Sequence, residues 1–356
     1  MKTTALAAAA ALALAACGGS DADAPPAGAA PGSAGTPTGT ATSTGEEVKV
    51  GMAYDVGGRG DKSFNDAAAA GLDKAKAELG AETKELEAKI GETEDQREER
   101  LRLLAQGGYN TVVAVGFAYA GAMKKVAPEF TDVNFAIIDD ASFKAPNVAN
   151  LVFAANEGSF LVGAAAALKS KANHVGYIGG VETPLLKAFE AGFNAGAKAV
   201  KPDIKIDNKY LTQIPDFSGF TDPAKGKVTG EGMYQGGADV IFAAAGSSGL
   251  GVFAAAKADK KLAIGVDSDQ YNIVEASLKP VILTSMIKKV DVAVFEFVTS
   301  VSEGKPLAGE TVFDLESGGV DYSTSGKAID DIKTKLDEYK EKIISGEITV
   351  PTTPGS

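Results

Sequence analysis

The chain has 356 residues, with 35 Lys and Arg, 47 Asp and Glu, one His, one Cys and no Trp. This length predicts about two domains, and a single Cys and a single His (His174) exclude intramolecular disulfides and any multi-Cys or His-rich metal centre. The formal net charge of −12 argues against nucleic-acid binding, which requires a basic face.

The first 17 residues have the pattern of a secretory signal. Lys2 precedes an Ala/Leu run of about a dozen residues, which is shorter than the ~20 residues that a membrane-spanning helix needs. The run ends in Leu-Ala-Ala-Cys, which resembles a bacterial lipobox whose cysteine is acylated and becomes the mature N-terminus. We therefore predict a signal peptide over residues 1–16 and lipidation of Cys17. The alternative is an ordinary secreted protein with a free thiol.

Residues 17–46 are predicted to form a disordered tether. They consist mainly of Gly, Ser, Thr, Pro and Ala, with hardly a bulky apolar side chain. Such a segment cannot bury enough apolar surface to offset the conformational entropy that ordering removes.

Strands and helices alternate from residue 47 onward, which predicts an α/β lobe over residues 47–154. Strands are predicted at 48–54, 82–86, 111–115, 134–138 and 148–153, and helices at 66–79, 93–106, 119–127 and through 163–167. The helix over 93–106 illustrates how these elements are predicted, because its leucines recur at helical spacing and Gly107-Gly108 is a typical helix end.

The alternation repeats and predicts a second lobe over residues 155–284. Strands are predicted at 174–178, 209–211, 239–244, 262–266, 281–284 and 311–315, and helices at 184–200, 222–236, from the 246–251 loop to 258, at 290–301 and at 329–345. Residues of about 285–320 are predicted to return to the first lobe, and 321–356 to form a C-terminal helix and tail. Continuous apolar strands joined by helices predict parallel sheets that are covered on both faces.

Polar residues cluster where these strands end. The strand-end residues are Asp55, Asp139, Asp140, Asp267 and Asp269, and Phe64-Asn65 follow the first strand. Ligands of open parallel sheets bind beyond the carboxyl ends of the strands. Carboxylates, an amide and an aromatic ring at these positions favour a neutral ligand with hydroxyls, N–H donors and a flat ring. Each Asp taken singly is also a candidate helix N-cap.

No catalytic motif stands out from the sequence. The loop Gly246-Ser-Ser-Gly-Leu-Gly251 follows a strand but does not fit the G-x-G-x-x-G pattern, so it favours close approach of its backbone to a ligand. His174, at the start of an apolar strand, is interpreted as structural, and the chain lacks a G-x-S-x-G elbow.

A series of motifs, in order along the chain, resembles one family. The motifs are Asp55-Val-Gly-Gly-Arg-Gly-Asp-Lys-Ser-Phe-Asn-Asp66, Val115-Gly-Phe117, Phe135-Ala-Ile-Ile-Asp139, Gly158-Ser-Phe-Leu-Val-Gly163, Gly176-Tyr-Ile-Gly-Gly180, Phe189-Glu-Ala-Gly-Phe193, Phe220-Thr-Asp-Pro-Ala-Lys-Gly-Lys227, Gly265-Val-Asp-Ser-Asp-Gln270 and Thr284-Ser-Met-Ile-Lys288. Across residues 47–320 they resemble the basic membrane protein family of ABC-transporter substrate-binding lipoproteins, whose characterised members bind purine nucleosides.

This resemblance implies a type I periplasmic-binding-protein fold, with two Rossmann-like lobes joined by three crossovers. The ligand would lie between the lobes, whose closure presents the loaded protein to ABC permease subunits in the membrane. The protein would be anchored by lipid on the extracytoplasmic side of the cell membrane. It would need no cofactor and would catalyse no reaction.

The resemblance also implies roles for individual residues. Phe64 would stack on the base from the first lobe and Phe220 from the second, with Phe217 and Phe189 as alternatives to Phe220. The remaining expected contacts are Asn65 and Asp139 with the base edge, Asp55 and Asp267 with the ribose hydroxyls, Lys288 with the sugar or a carboxylate, and the main chain at Gly246 with the ribose. Alternative functions are a sugar or autoinducer receptor of the same fold, a sensory lipoprotein, and a nucleoside hydrolase.

Overall fold

Two six-stranded sheets organise residues 47–355, the part of the chain that this computed structural model describes. The predictions for residues 1–46, which include the signal peptide, Cys17 and the tether, lie outside these residues. Among the described residues, none of the helices is both long enough and apolar enough to cross a membrane.

The elements alternate along the chain. The strands are β1 Lys49–Ala53, β2 Glu82–Leu86, β3 Thr111–Ala114, β4 Asn134–Ile138, β5 Val148–Phe153, β6 His174–Glu182, β7 Lys205–Gln213, β8 Val240–Ala244, β9 Leu262–Asp267, β10 Ile282–Lys288, β11 Gly309–Phe313 and β12 Val320–Tyr322. The helices are α1 Phe64–Leu79, α2 Glu94–Gln106, α3 Ala120–Val126, α4 Ala155–Lys169, α5 Pro184–Val200, α6 Pro223–Gln235, α7 Ser248–Asp259, α8 Gln270–Ile273, α9 Val290–Ser302 and α10 Lys333–Ile344.

The first sheet has the order β11-β5-β4-β3-β1-β2 and the second β12-β10-β9-β8-β6-β7. Every pairing is parallel except that of β12 with β10. The chain therefore passes between the sheets three times: after β5, between β10 and β11, and between β11 and β12. We call each sheet with its helices a lobe, and all three passages lie at the β5–β11 edge of the first sheet and the β10–β12 edge of the second.

Local sequence explains how these elements form. The central strands are buried along their length, as expected for parallel strands with helices on both faces. Helix α2 begins with a capping box, in which Thr93 Oγ1 accepts from the Gln96 N–H at 3.4 Å and Gln96 Oε1 accepts from the Thr93 N–H at 2.9 Å. Helices α4 and α5 pack with their backbones in contact, because a Cβ on Gly196 would lie 1.9 Å from the Phe160 carbonyl oxygen.

The sequence-based elements differ from the observed ones mainly in the second lobe. Strand β6 continues through Gly179-Gly180, beyond the predicted range of 174–178, and β7 is nine residues long, with polar residues on its exposed side. Strand β12, of three residues, was not predicted. The expected lobe boundary at residue 284 falls inside β10, which continues to Lys288 before the chain enters α9.

Candidate functional site

A cavity lies between the two lobes, beyond the C-terminal ends of both sets of parallel strands. About 560 Å³ within it and at its open mouth is not filled by protein atoms. The lining residues are Asp55, Val56, Asp61, Phe64, Asn65, Phe117, Asp139, Leu185, Leu186, Phe189, Phe220, Ala244, Gly246, Val266, Asp267 and Lys288. All eight residues that the sequence suggested for ligand binding are among them, although the ligand group that each would contact remains a prediction.

A buried ion pair joins the two lobes on one side of this cavity. Lys288, the last residue of β10, forms a salt bridge with Asp139, which follows β4 in the other lobe, and their side chains are 2% and 5% exposed. Asp139 Oδ2 accepts from the ammonium, whereas Asp139 Oδ1 is buried without a hydrogen-bond partner. That free oxygen is available to a ligand donor, and Asp139 adopts φ +66°, an uncommon conformation for a non-glycine residue.

Aromatic rings surround the Lys288 ammonium. Its Nζ lies 4.5 Å from the ring centroid of Phe64 and 5.0 Å from that of Phe153. Cations over aromatic faces at such distances are attracted by the ring quadrupole. The ring that was predicted to stack on a base is thus in contact with the predicted sugar-binding lysine.

Asp267 lies at the end of β9 and contacts the first lobe. Its Oδ2 accepts a hydrogen bond from Ser63 Oγ at 2.6 Å, and its φ is +62°. Burial raises the pKa of the Asp267 carboxyl to about 6, although the nearby Lys288 opposes the rise. At neutral pH this carboxyl is therefore largely ionised and accepts hydrogen bonds.

Asp55 follows β1 and is more strongly affected by burial. Its side chain has one internal partner, because Oδ1 accepts from the backbone N–H of Val56 at 2.8 Å. Burial raises the pKa of the Asp55 carboxyl to about 7, with the Val56 N–H and the guanidinium of Arg97 opposing the rise. Near neutral pH this group is poised between its acidic and ionised forms.

The side chain of Asn65 is already engaged within the protein. Its Nδ2 donates to the carbonyl oxygen of Val56 at 3.3 Å and to Asp61 Oδ2 at 3.0 Å, and its Oδ1 accepts from the Asp55 N–H at 3.1 Å. Both amide hydrogens therefore have partners. This geometry favours a role for Asn65 in positioning Asp55. It is less favourable for the contact with a base edge that was expected of Asn65.

Asp61 is a lining carboxylate that the sequence analysis did not select. Its two oxygens accept from the backbone N–H groups of Ser63, Asn65 and Asp66, at 2.9, 2.9 and 3.1 Å, so it caps the first turn of α1. Burial raises its pKa, and these N–H donors oppose the rise. The signal in the sequence is an Asp shortly before a helix, a residue type that commonly caps the first helical turn.

The four aromatic rings of the lining come from both lobes. Phe64 and Phe117 belong to the first lobe, and Phe189 and Phe220 to the second. Phe217, one of the two alternatives for the second stacking ring, is not among the lining residues. Phe117, the last residue of the Val115-Gly-Phe117 motif, was not predicted to bind ligand and adds an aromatic surface from the first lobe.

Gly246 lets the loop after β8 approach Phe220. Its φ is +54°, and a Cβ there would lie 2.9 Å from the carbonyl oxygen of Phe220. A side chain at this position would be strained and would fill the corner of the cavity. The backbone is therefore exposed to the cavity at this point, as the glycine-rich loop suggested.

The two other strand-end carboxylates point elsewhere. Asp140 accepts from Ser142 N and Oγ, and Asp269 bonds to Asn272 and Ser325. Neither lines the cavity. Within the Asp139-Asp140 doublet, Asp139 is the residue that faces the space between the lobes.

Taken together, the lining provides four carboxyl groups, one ammonium and four aromatic rings. Carboxylates accept hydrogen bonds from hydroxyls more strongly than neutral groups do, and the rings offer faces for a flat heterocycle. The excess of negative groups disfavours an anionic ligand. The chemistry fits a neutral molecule that carries both hydroxyls and a planar ring.

Comparison with known proteins gives a consistent family. The model of the Bmp family, described as ABC transporter substrate-binding protein PnrA-like, matches residues 48–354. The "CD4+ T-cell-stimulating antigen" of Listeria monocytogenes is 36% identical over 325 residues, which cover 87% of this chain and 89% of that protein. The "ABC transporter nucleoside-binding protein BmpA" of Lactococcus lactis is 35% identical over 326 residues, with 86% and 90% coverage.

Among solved structures, an ABC transporter solute-binding protein from Aeropyrum pernix superposes with a TM-score of 0.75. The two sequences are 30% identical, and the match covers 86% of this chain and 94% of the Aeropyrum pernix protein. This similarity and the two mostly parallel sheets confirm the fold of a two-lobed solute-binding protein of type I. The three crossovers that the resemblance implied are present in the described residues.

Proposed function

This chain belongs to the Bmp family of PnrA-like ABC transporter substrate-binding proteins, and we propose that it binds a nucleoside, a purine nucleoside first of all, in the cavity between its lobes. It would then deliver this ligand to the permease of an ABC importer. The matching family and the similar solved structure are both described as solute- or substrate-binding proteins of ABC transporters. This description fits a receptor that does not transform its ligand.

The observation that carries this proposal is the pairing of rings and strand-end carboxylates in one cavity. Phe64 from the first lobe and Phe220 from the second offer apolar faces to a base. Asp267 and Asp55 each retain acceptor capacity for ribose hydroxyls, and the free Oδ1 of Asp139 can accept from an N–H at the base edge. Lys288 forms an ion pair with Asp139 and lines the cavity, from where its ammonium would donate to the sugar.

We also propose that the receptor is held at the membrane by lipid. The support is in the sequence, where the only Cys of the chain follows Leu14-Ala15-Ala16 at the end of a signal-like segment. Residues 17–46 would then tether the binding lobes to Cys17 on the extracytoplasmic side. Labelling with an alkyne-tagged fatty acid should mark the wild-type chain and leave Cys17→Ser unlabelled.

Calorimetric titration tests the ligand class directly. The chain from residue 17 with Cys17→Ser is titrated with adenosine, guanosine, inosine, uridine, ribose and glucose. We expect an isotherm with at least one purine nucleoside and none with the free sugars. Heat with ribose or glucose alone would replace the nucleoside by a sugar, and free base in the mixture would indicate a hydrolase.

Phe64→Ala is expected to weaken purine-nucleoside binding at least tenfold. The substitution removes a stacking face worth about 0.5–1.5 kcal/mol beyond its buried area, together with that area. The same titration measures the change. Phe130→Ala is the matched control, because Phe130 is also half-buried and lies before β4, at the other end of the sheet from the cavity. Equal affinity of Phe64→Ala and wild type would assign the ring a purely structural role.

The proposed carboxylate contacts predict that nucleoside affinity falls as the pH is lowered from 8 to 5. Asp55, with its pKa at about 7, and Asp267, with its pKa at about 6, lose their charge in this range. A protonated carboxyl is a weaker acceptor for a hydroxyl than a carboxylate, so we expect a loss of about tenfold. Titration of adenosine at four pH values measures it, and a flat profile would exclude these contacts with the ribose.

A further inference from the structure

We propose that Phe217 is a latch that holds the two lobes together over a bound ligand and so sets how long the ligand stays bound. This inference rests on the proposed function. It assigns Phe217 a positioning role outside the cavity, in place of the stacking role that the sequence left open.

The latch is a contact between the lobes. Phe217 belongs to the short 3-10 turn Phe217–Phe220 that follows β7 in the second lobe. Its ring centroid lies 6.0 Å from that of Phe117, after β3, and 5.2 Å from the guanidinium carbon of Arg97, in α2. Both partners belong to the first lobe. Ring–ring and ring–cation contacts at such distances are attractive.

The position of this contact in the fold allows it to oppose opening of the cleft between the lobes. The three passages between the lobes lie at one edge of each sheet, whereas β7 and β2 form the opposite edges. The turn with Phe217 follows β7, and its partners follow β2 (Arg97, in α2) and β3 (Phe117). A hinge rotation about the passages moves the β7 edge most, so a contact made from that edge breaks early when the cleft opens.

The turn holds the Phe217 ring in a fixed position on its own lobe. Asp216 accepts from the Ser218 N–H at 2.9 Å, and Thr212 Oγ1 donates to the carbonyl oxygen of Asp216 at 2.6 Å. Gly219 packs directly on β6, since a Cβ there would lie 2.0 Å from the Gly180 carbonyl oxygen. The ring is thus presented by a segment that is tied to the sheet.

Arg97 connects the latch to the cavity. It is 6% exposed, and its Nε lies 3.1 Å from Glu92 Oε1. Its charge also acts on the carboxyl of Asp55, which lines the cavity. Neither Arg97 nor Phe217 lines the cavity. A ligand that engages Asp55 therefore acts on the same cation that supports the Phe217 ring.

Dissociation kinetics test the latch. Stopped-flow displacement of the tightest purine nucleoside from the calorimetric series measures association and dissociation rates for wild type, Phe217→Ala, Arg97→Met and the double variant. We expect Phe217→Ala to increase the dissociation rate about tenfold and to change the association rate less than twofold. The double variant should dissociate little faster than Phe217→Ala, because both substitutions remove the same contact between Phe217 and Arg97. The control variant Phe130→Ala, whose substitution lies before β4 and away from the Phe217 contact, should release the nucleoside at the wild-type rate.

A spectroscopic reporter separates a latch from a ligand contact. The chain contains no Trp, so Phe217→Trp introduces a single indole whose emission should shift to shorter wavelength when nucleoside closes the cleft. Adding Arg97→Met should reduce this shift, and Phe130→Trp should show none.

The outcomes distinguish the latch from the function on which it rests. Unchanged dissociation from Phe217→Ala, with nucleoside still bound, overturns the latch and leaves the proposed function intact. Fully additive effects of Phe217→Ala and Arg97→Met would also overturn it, because they would show that the contact between Arg97 and the Phe217 ring does not control dissociation. Absence of nucleoside binding by the unmodified chain overturns the proposed function, and the latch with it.

Discussion

Replacing Lys288 by methionine is expected to destabilise the fold by about 3–5 kcal/mol, the cost of breaking a buried ion pair by removing one partner. The substitution leaves the Asp139 carboxylate inside the protein with neither of its oxygens bonded to a protein donor. It also removes the cation that contacts the rings of Phe64 and Phe153. Urea unfolding at pH 7.5 measures the loss.

Two further variants isolate the ion pair from the packing of the lysine stem. Lys288→Met with Asp139→Asn should recover most of the loss, because the double variant buries no unpaired charge. Lys335→Met removes one partner of the exposed pair Lys335–Glu338, whose side chains are 51% and 52% exposed, and should cost less than about 1 kcal/mol. A double variant as unstable as Lys288→Met would attribute the effect to lost packing.

The strand-end carboxylates show what the sequence predicts well. Asp55, Asp139 and Asp267 each stand at the end of a strand, and parallel strands bring their carboxyl ends to one edge of a sheet. That rule predicts that these residues lie near a common cleft, and they do line one cavity, as do Lys288 and Phe220, whose selection rested on the family resemblance. The central strands are equally predictable, because burial on both faces makes them continuous apolar runs such as Val240–Ala244.

Contacts between the lobes were beyond the reach of the sequence. Phe217 and Phe220 lie three residues apart in one 3-10 turn, and only the geometry of that turn directs the Phe220 ring to the cavity and the Phe217 ring to Arg97. Within the first lobe, the hydrogen bonds of Asn65 to Val56 and Asp61 were equally unpredictable, because they depend on how the preceding loop folds back. The contact of Asn65 with a base edge, which the family resemblance implied, stays a prediction.

Both edge strands of the second sheet, β7 and β12, were predicted poorly, whereas the edge strand β2 of the first sheet matches its predicted range of 82–86. Strand β7 was expected only over 209–211, because its polar residues on the exposed side interrupt the apolar pattern. Strand β12 has three residues and pairs with β10 in the antiparallel direction. Neither has a periodicity that a single sequence can distinguish from a loop.

Asp55→Asn is expected to stabilise the fold by about 2–4 kcal/mol at pH 8 and, at the same time, to weaken nucleoside binding about tenfold. Burial raises the pKa of Asp55 from 3.8 to about 7, and each pKa unit is worth about 1.36 kcal/mol, so the shift sets an upper limit of roughly 4 kcal/mol. The ionised carboxyl therefore opposes folding. A neutral amide of the same shape removes that penalty but gives up the charge-assisted bond to a hydroxyl.

The pH dependence fixes the sign of this stability effect. A carboxyl whose pKa is raised in the folded state contributes its full stability below the unfolded pKa of 3.8, where it is neutral in both states. That contribution is lost as the pH rises towards about 7, so the advantage of Asp55→Asn should be absent near pH 4, grow through pH 5 and 6, and level off above pH 7. Urea unfolding across this range measures it, with Glu99→Gln as the control for loss of an exposed carboxylate. An advantage of equal size at pH 4 and pH 8 would show that it does not come from ionisation, whereas the predicted profile would identify Asp55 as a charge retained at the expense of stability because the ligand requires it.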